Sequence, residues 1–204
     1  MKLSINTIRK SVAAAIAASA AVLAAVPAAS ASTVPAAPAA RTVQMAGGVV
    51  ATVQTYTGSQ TALLPALPKG HHWGSTVTVR HITLPKDYHS AVTPAAVVHP
   101  DSASGCTPYN GAVAPYTCIV VTGSGLNEEA WYTGTYISNP DATAYYEANG
   151  LTVLWDVYSD APFGQYFTDL PGYGPETWAN GTKLCNWWSG SAAGSAMPCI
   201  TIKG

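Results

Sequence analysis

The alternation of apolar and polar residues is clearest between residues 151 and 158, where every second side chain is apolar and only Leu154 interrupts the pattern. Because a period of two places successive side chains on opposite faces, this segment is predicted to be a strand with one buried face. Other β-branched and aromatic segments predict further strands at 49–57, 76–84, 118–122, 131–137, 166–169, 184–188 and 199–203.

Turn-forming residues separate these segments, and Asn-Gly pairs occur at 149–150 and 180–181. Asn-Gly between apolar segments favours a hairpin because both residues tolerate a positive φ. Several short strands at this spacing predict an all-β fold, an antiparallel sandwich or barrel. Only residues 141–149 are predicted to form one or two helical turns.

The first residues predict export. Lys2, Arg9 and Lys10 precede an alanine-rich apolar segment at 12–26, and small residues at Ala29 and Ala31 follow. This order is typical of a secretory signal peptide at 1–31, with cleavage after Ala31. A membrane anchor is disfavoured because alanine contributes little transfer energy to a spanning helix. We therefore expect a secreted, extracellular protein with no membrane attachment after cleavage.

Residues 32–68 are predicted to form a flexible N-terminal arm, and 69–204 the β-rich domain. Pro35, Pro38 and several alanines leave the start of the arm with little apolar surface to bury. The segment 49–57 is bracketed by glycines, so it is predicted to be an isolated strand that could add to the edge of a partner's sheet. Its candidate binding residues are Val49, Val50, Val53 and Tyr56.

The four cysteines indicate a disulfide framework, since thiols oxidise outside the cytoplasm. Three connectivities are possible. Local pairing is favoured, Cys106 with Cys118 and Cys185 with Cys199, because each pair closes a short loop rich in turn residues. On the loop-entropy model each bridge would stabilise the fold by about 3 kcal/mol.

The charge balance excludes one class of partner. Without residues 1–31, six basic residues remain against ten acidic ones, a net charge of −4. A nucleic-acid partner is disfavoured because phosphate binding requires clustered Lys and Arg. With so few charges, hydroxyl and amide groups must keep the surface soluble.

Aromatic residues suggest a binding surface, since eleven Tyr and six Trp stand against two Phe. Tyr and Trp combine a large ring with a polar group, which suits interfaces. The candidate contact residues are Tyr109, Trp131, Trp187 and Trp188. If 184–188 is a strand, Trp187 and Trp188 point to opposite faces, and at most one belongs to the core.

No catalytic, metal or cofactor motif stands out, so no cofactor is predicted. Five histidines, His71, His72, His81, His89 and His99, fall within about thirty residues, but their spacing favours surface or loop positions over a metal site. Acidic residues could support glycoside hydrolysis, although solvated acids on loops and strand exteriors are the simpler explanation. The candidates are Glu128, Glu129, Glu147, Asp156, Asp160, Asp169 and Glu176.

Residues 179–203, with Asn180-Gly181-Thr182 and Pro198-Cys199-Ile200, resemble the ends of uncharacterised short secreted β-rich proteins of high-GC Gram-positive bacteria. The resemblance covers the last quarter of the chain and implies secretion and a β fold, with no catalytic residue. The predicted function is a non-enzymatic binding or adaptor protein for an extracellular protein or carbohydrate, and a role as a subunit of a secreted assembly fits this prediction. The alternative is a small secreted hydrolase or protease inhibitor, which would present the 106–118 loop.

Overall fold

A computed structural model describes residues 34–86, 88, 103–111, 114–169 and 172–204, and every structural statement below refers to these residues. The predicted signal peptide at 1–31, and His89 and His99, lie outside them. Residues Pro35–Gly204 form one compact unit.

The described residues form strands β1 to β12 and three short 3-10 helices. The helices are Ala46–Gly48, Gly58–Leu63 and Tyr109–Gly111. The strands are, in order, Arg41–Gln44, Val50–Thr57, His72–Thr83, Ala103–Pro108, Tyr116–Ser124, Asn127–Tyr136, Thr143–Ala148, Leu151–Ser159, Tyr166–Thr168, Glu176–Thr177, Lys183–Ser189 and Cys199–Thr201.

Two sheets make up the fold. The seven-stranded sheet has the order β1-β2-β3-β8-β7-β11-β12, and the five-stranded sheet has the order β10-β6-β5-β4, with β9 also paired to β6. Neighbouring strands are antiparallel except β3 and β8, which are parallel. The prediction of an all-β, mostly antiparallel sandwich is therefore confirmed.

The core lies between the inner faces of the two sheets. The five-stranded sheet contributes Ile119, Trp131 and Phe167, all 0% exposed, while the seven-stranded sheet contributes Leu154 and Trp188. Two indole nitrogens in this core are satisfied by the opposite sheet: Trp131 Nε1 donates to Asn186 Oδ1 at 2.6 Å, and Trp188 Nε1 donates to Thr133 Oγ1 at 2.9 Å. These hydrogen bonds add specificity to the apolar packing.

Strand β8 alternates between a buried and a less buried face, but the buried face is opposite to the one that its apolar residues predict, and it carries a charge. Leu154, Asp156 and Tyr158 are buried, whereas Trp155 and Val157 on the other face are half-buried. The apolar face formed by Leu151, Val153, Trp155 and Val157 is thus the outer one. Asp156 can point inward only because the core provides a cation for it.

That cation is Arg80 on β3, the strand beside β8. Arg80 Nε donates to Asp156 Oδ1 at 2.5 Å, and Nη2 donates to Asp156 Oδ2, which makes a bidentate pair. Tyr146 and Tyr158 donate their hydroxyl groups to Asp169, the residue after β9. These five residues, here called the core polar network, connect three strands of one sheet to the other sheet.

The core polar network contains two carboxyl groups, and the one on Asp156 lies beside the guanidinium of Arg80. Burial raises the pKa of Asp156 well above its ordinary value, and the neighbouring charge of Asp169 adds to this effect, although Arg80 opposes it. Burial thus opposes the ionisation of Asp156, and the adjacent guanidinium of Arg80 is the interaction that favours it.

The helical turns predicted for 141–149 are wrong, because Thr143–Ala148 is strand β7 in the centre of the seven-stranded sheet. Every residue of β7 is buried, with Ala144 and Tyr146 facing the core and Tyr145 and Glu147 facing the other side. Burial on both faces outweighs the local helix preference of its alanines.

The N-terminal strand is not isolated. Strand β2, Val50–Thr57, pairs along its whole length with β3 and also pairs with β1. The described part of the predicted arm thus belongs to the compact unit, which begins at Pro35 and not at residue 69. Because β3 pairs with all of β2 and β1 pairs with residues 50–53, the prediction of an isolated strand at 49–57 is wrong, and most of its backbone pairing groups are already used inside this sheet.

Both predicted disulfides are present, Cys106–Cys118 and Cys185–Cys199. Each links directly opposite residues of neighbouring strands, β4 with β5 and β11 with β12. Two structural disulfides are typical of an oxidising, extracytoplasmic environment. Among the described residues, no helix is long and apolar enough to span a membrane.

Replacement of Asp156 by Ala should destabilise the protein by about 3–5 kcal/mol, because the buried guanidinium of Arg80 then loses its bidentate partner. Urea unfolding at neutral pH measures this change. The control replaces both charged partners by apolar residues, Arg80→Met with Asp156→Leu, and should recover most of the lost stability. Equal losses of stability in the single and double variants would contradict the view that most of the cost comes from leaving the charge of Arg80 without Asp156.

Candidate functional site

Four of the predicted contact residues lie in the core. Val49, Val53, Trp131 and Trp188 are each at most 6% exposed and belong to the hydrophobic cluster between the sheets. The interpretation of these four side chains as a contact surface is therefore wrong. Their apolar area stabilises the sandwich and is not available to a partner.

Trp187 faces away from Trp188, as the strand pattern of 184–188 predicts. It lies on the outer face of the seven-stranded sheet, 7% exposed, with its ring stacked on Tyr145 at a centroid distance of 3.6 Å. His71 lies 4.3 Å from the same ring. With two ring neighbours, Trp187 has little free ring surface for a ligand.

The same outer face continues as a row of aromatic rings. The ring of Tyr145 is parallel to that of Trp155, and the ring centroids of Trp155 and Trp73 lie 5.4 Å apart. The loop before β3 covers part of this row, because Trp73 Nε1 donates to the carbonyl of Pro65 at 2.8 Å. The rings of this face therefore pack mainly against one another and against the chain itself.

The remaining predicted contact residues are accessible but dispersed. Tyr109 is 42% exposed at the turn that follows β4. Val50 and Tyr56 are half-buried on β2 in the other sheet, where the Tyr56 hydroxyl donates to Gln54. The structure does not bring these three side chains together.

Four of the candidate acids are buried and partnered, which corrects their interpretation as solvated groups. Asp156 and Asp169 belong to the core polar network. Glu147 is 2% exposed, and its Oε1 lies 2.5 Å from His71 Nδ1 and accepts a hydrogen bond from Trp187 Nε1 at 2.7 Å. Among the described residues, no three His, Cys, Asp or Glu side chains form a group that could hold a metal ion.

Glu128 is the fourth buried acid, 3% exposed at the start of β6. Its Oε2 accepts a hydrogen bond from Trp178 Nε1 at 2.9 Å, while Oε1 is buried with no partner among the described residues. Burial raises the pKa of Glu128 to about 7, and the charge of Glu176 on β10 adds to the rise. Glu128 is thus protonated in mildly acidic solution.

The outer face of the five-stranded sheet presents a different surface, which the sequence analysis missed. Tyr116 on β5, Tyr136 on β6 and Tyr166 on β9 form a triangle of half-buried rings. Their centroids lie 5.4 Å apart for Tyr116–Tyr136, 5.6 Å for Tyr116–Tyr166 and 5.4 Å for Tyr136–Tyr166. Together with Tyr132 on β6, these rings are here called the tyrosine face.

Glycines hold the rings of the tyrosine face in place. A Cβ on Gly134 would lie 2.5 Å from the Tyr166 hydroxyl, so the Tyr166 ring lies directly across this glycine of β6. A Cβ on Gly172 would lie 2.7 Å from the Tyr132 ring. The absence of side chains at these positions allows each ring to lie flat against the sheet.

Along β5, β6 and β9, the strand positions two residues from these tyrosines carry no charge, and the exposed carboxylate of β6 is Glu129, three residues before Tyr132. The residues around the rings are small, apolar or hydroxyl-bearing: Ser104, Val120, Thr122, Ala130 and Thr168. A hydrogen bond with Tyr136 raises the pKa of Tyr116, and burial raises the pKa of Tyr166. These phenols therefore remain neutral at physiological pH.

Part of the tyrosine face can be recognised from the spacing of residues in the sequence. Tyr132, Gly134 and Tyr136 are spaced two apart in a predicted strand, so they share one face by period two. Tyr116 and Tyr166 join them only through the pairing of β5 and β9 with β6. No local pattern specifies that pairing.

Replacement of Gly134 by Ala should displace the Tyr166 ring and destabilise the protein by about 1–3 kcal/mol through overpacking. Chemical denaturation measures the loss, and near-UV circular dichroism should show a changed tyrosine environment. Gly105→Ala on β4 is the matched control, since a Cβ there meets no atom within 4 Å. Unchanged spectra and equal stabilities for the two variants would refute the role of Gly134 as a seat for the ring.

Replacement of Glu128 by Gln should stabilise the protein increasingly as the pH rises. The folded-state pKa of about 7 lies above the ordinary value of 4.5, so the wild type loses stability as the pH rises through this interval. The advantage of the variant should grow by about 2–3 kcal/mol between pH 5 and 8. Urea unfolding at several pH values measures it, and Glu129→Gln, at an exposed neighbour, should show no such trend.

Comparison with known proteins provides no relative. No protein-family model, no curated protein and no solved structure matches the chain significantly. The resemblance of residues 179–203 to short secreted proteins stays a prediction, and the geometry of the tyrosine face is the main basis for a functional hypothesis.

Proposed function

We propose that this protein is a secreted, non-enzymatic binding protein that contacts an extracellular protein or carbohydrate through the tyrosine face. The observation that carries the proposal is the triangle of Tyr116, Tyr136 and Tyr166, whose neighbouring positions along the strands are uncharged. A partner that covers this surface does not have to desolvate an ion. Each phenol offers an apolar ring and a hydroxyl group to the partner.

The rigidity of the tyrosine face supports the same function. A tyrosine has few rotatable bonds, and the contacts of Tyr166 with Gly134 and with two neighbouring rings restrict them further. A side chain that is already ordered loses less entropy on binding. The face is therefore better prepared for binding than a set of separate exposed side chains.

Two features favour an extracellular location for this interaction. Both disulfides are of the kind found in exported domains, and the predicted signal peptide provides the export route. The tyrosine face replaces the N-terminal strand as the proposed contact, because β2 is paired with β3 along its whole length and with β1 over residues 50–53. A role as one subunit of a secreted assembly is compatible with either type of partner.

The alternative of a glycoside hydrolase has less support. Three surface clefts have an acidic residue in their walls. Glu128 lines one of them and Glu176 lines the other two, so each cleft has a single carboxylate. Hydrolysis by paired acids requires two carboxyl groups on opposite sides of one bond.

The alternative of a protease inhibitor depends on Tyr109 as the contact residue of the 106–118 loop. The Tyr109 ring lies against Gly194 of the neighbouring loop.

The proposal is tested with a triple variant in which Tyr116, Tyr136 and Tyr166 are replaced by Ser. Binding is measured by depletion onto insoluble cellulose, chitin and xylan, and by cross-linking in the producer's secreted protein mixture. Loss of three aromatic anchors should weaken any specific binding by about tenfold or more. Thermal unfolding and near-UV spectra confirm that the variant is folded.

Tyr56→Ser is the matched control, since it removes a half-buried tyrosine from the other sheet. Binding that is lost only in the triple variant supports the tyrosine face. Binding lost in Tyr56→Ser and retained in the triple variant would instead place the contact on the N-terminal strands. Hydrolysis products released by the wild type from any of the polysaccharides would contradict a non-enzymatic role.

A further inference from the structure

A second surface of a different kind lies where the edges of the two sheets meet. Strand β12 ends the seven-stranded sheet and β4 ends the five-stranded sheet, and the two edge strands lie alongside each other. A cleft of about 330 Å³, here called the seam cleft, opens between them. Its walls include Ala103, Val121, Ile200, Thr201 and Ile202.

The backbone of β12 has unpaired groups that point into this seam. The Pro198 carbonyl accepts a hydrogen bond from the Asn186 amide, and the Ile202 amide donates to the Thr182 carbonyl. Because backbone groups of a strand alternate in direction, the amide and carbonyl of Thr201 point away from β11. Among the described residues, no backbone group pairs with them.

The edge of β4 has the same arrangement. Cys106 and Cys118 are directly opposite with a Cα–Cα distance of 4.0 Å, which is the spacing of a pair without backbone hydrogen bonds. The backbone groups of Cys106 and Ser104 therefore point away from β5. Charged residues often protect such edges, but β4 has none.

Both disulfides hold an edge strand that borders the seam. Cys106–Cys118 attaches β4 to β5, and Cys185–Cys199 attaches β12 to β11. An edge that is covalently fixed loses little further entropy when another strand pairs with it. The disulfides therefore prepare these two edges for pairing as well as stabilise the fold.

We propose that the seam cleft binds an extended, uncharged segment of a partner protein by strand addition to β12. The backbone of Thr201 supplies the hydrogen bonds, and the apolar walls at Val121, Ile200 and Ile202 accept alternate side chains. Lys203 and the buried Glu128 are the charged residues that line the cleft, so its walls offer little counter-charge to an ionic peptide. This inference is independent of the tyrosine face, which lies on other side chains.

The test uses a displayed library of random twelve-residue peptides, selected on the wild-type protein and counter-selected on Thr201→Pro. Proline at 201 removes one outward N–H and leaves the bonds between β11 and β12 intact. Thr201→Val is the matched control, since it changes the side chain and keeps the N–H. Selected peptides should bind the wild type and Thr201→Val equally. They should bind Thr201→Pro at least about tenfold more weakly.

A second measurement uses N-methylated peptides. N-methylation of alternate residues in a selected peptide removes its pairing groups on one edge and should abolish binding in one of the two registers. The triple tyrosine variant should bind the peptides normally, which separates this site from the proposed function.

Two outcomes would overturn the proposal. One is a selection that yields no peptide able to distinguish wild type from Thr201→Pro, or peptides that tolerate N-methylation in both registers. The other is concentration-dependent dimerisation that Thr201→Pro abolishes, measured by sedimentation, because the edge would then pair with a second copy of this chain.

Discussion

The buried ion pair between Arg80 and Asp156 is the constraint on which the rest of the sandwich depends. A charge inside a protein is tolerated only when its partners are fixed, and here the parallel pairing of β3 and β8 places the two residues directly opposite each other. Asp169, with two tyrosine hydroxyls, extends the same network to the other sheet. A register shift of one residue in β8 would turn Asp156 outward and leave Arg80 unpaired in the core.

The location of the charges also determines the character of the outer surfaces. Four of the ten acidic residues are buried with partners, so the sheet faces are left to tyrosine, threonine and small residues. The two outer faces use their aromatic rings differently. Trp187 and Tyr145 pack against each other on the seven-stranded sheet, while the triangle of Tyr116, Tyr136 and Tyr166 remains half-buried on the five-stranded sheet. Only the latter combines accessible rings with an uncharged surrounding.

The position of each disulfide in the sheets is informative, in addition to the number of disulfides. Each bridge attaches the last strand of a sheet to its neighbour, and the two strands so attached, β4 and β12, border the same cleft. Short edge strands gain little from side-chain packing and tend to fray. A covalent bond across each outer strand pair keeps both edges ordered at the place where the sandwich is open.

The sequence by itself determined the strand-rich class, the local disulfides and the opposite directions of Trp187 and Trp188, because period-two alternation and short cysteine loops act within one segment. It also contained the Tyr132, Gly134, Tyr136 spacing. The tertiary structure alone decided that Asp156 faces the core, that 143–148 is a central strand, and that Tyr116 and Tyr166 join Tyr136. Each of these depends on which distant strand becomes the neighbour, and the long-range pairing that supplies a buried carboxylate with its cation leaves no local pattern in the chain.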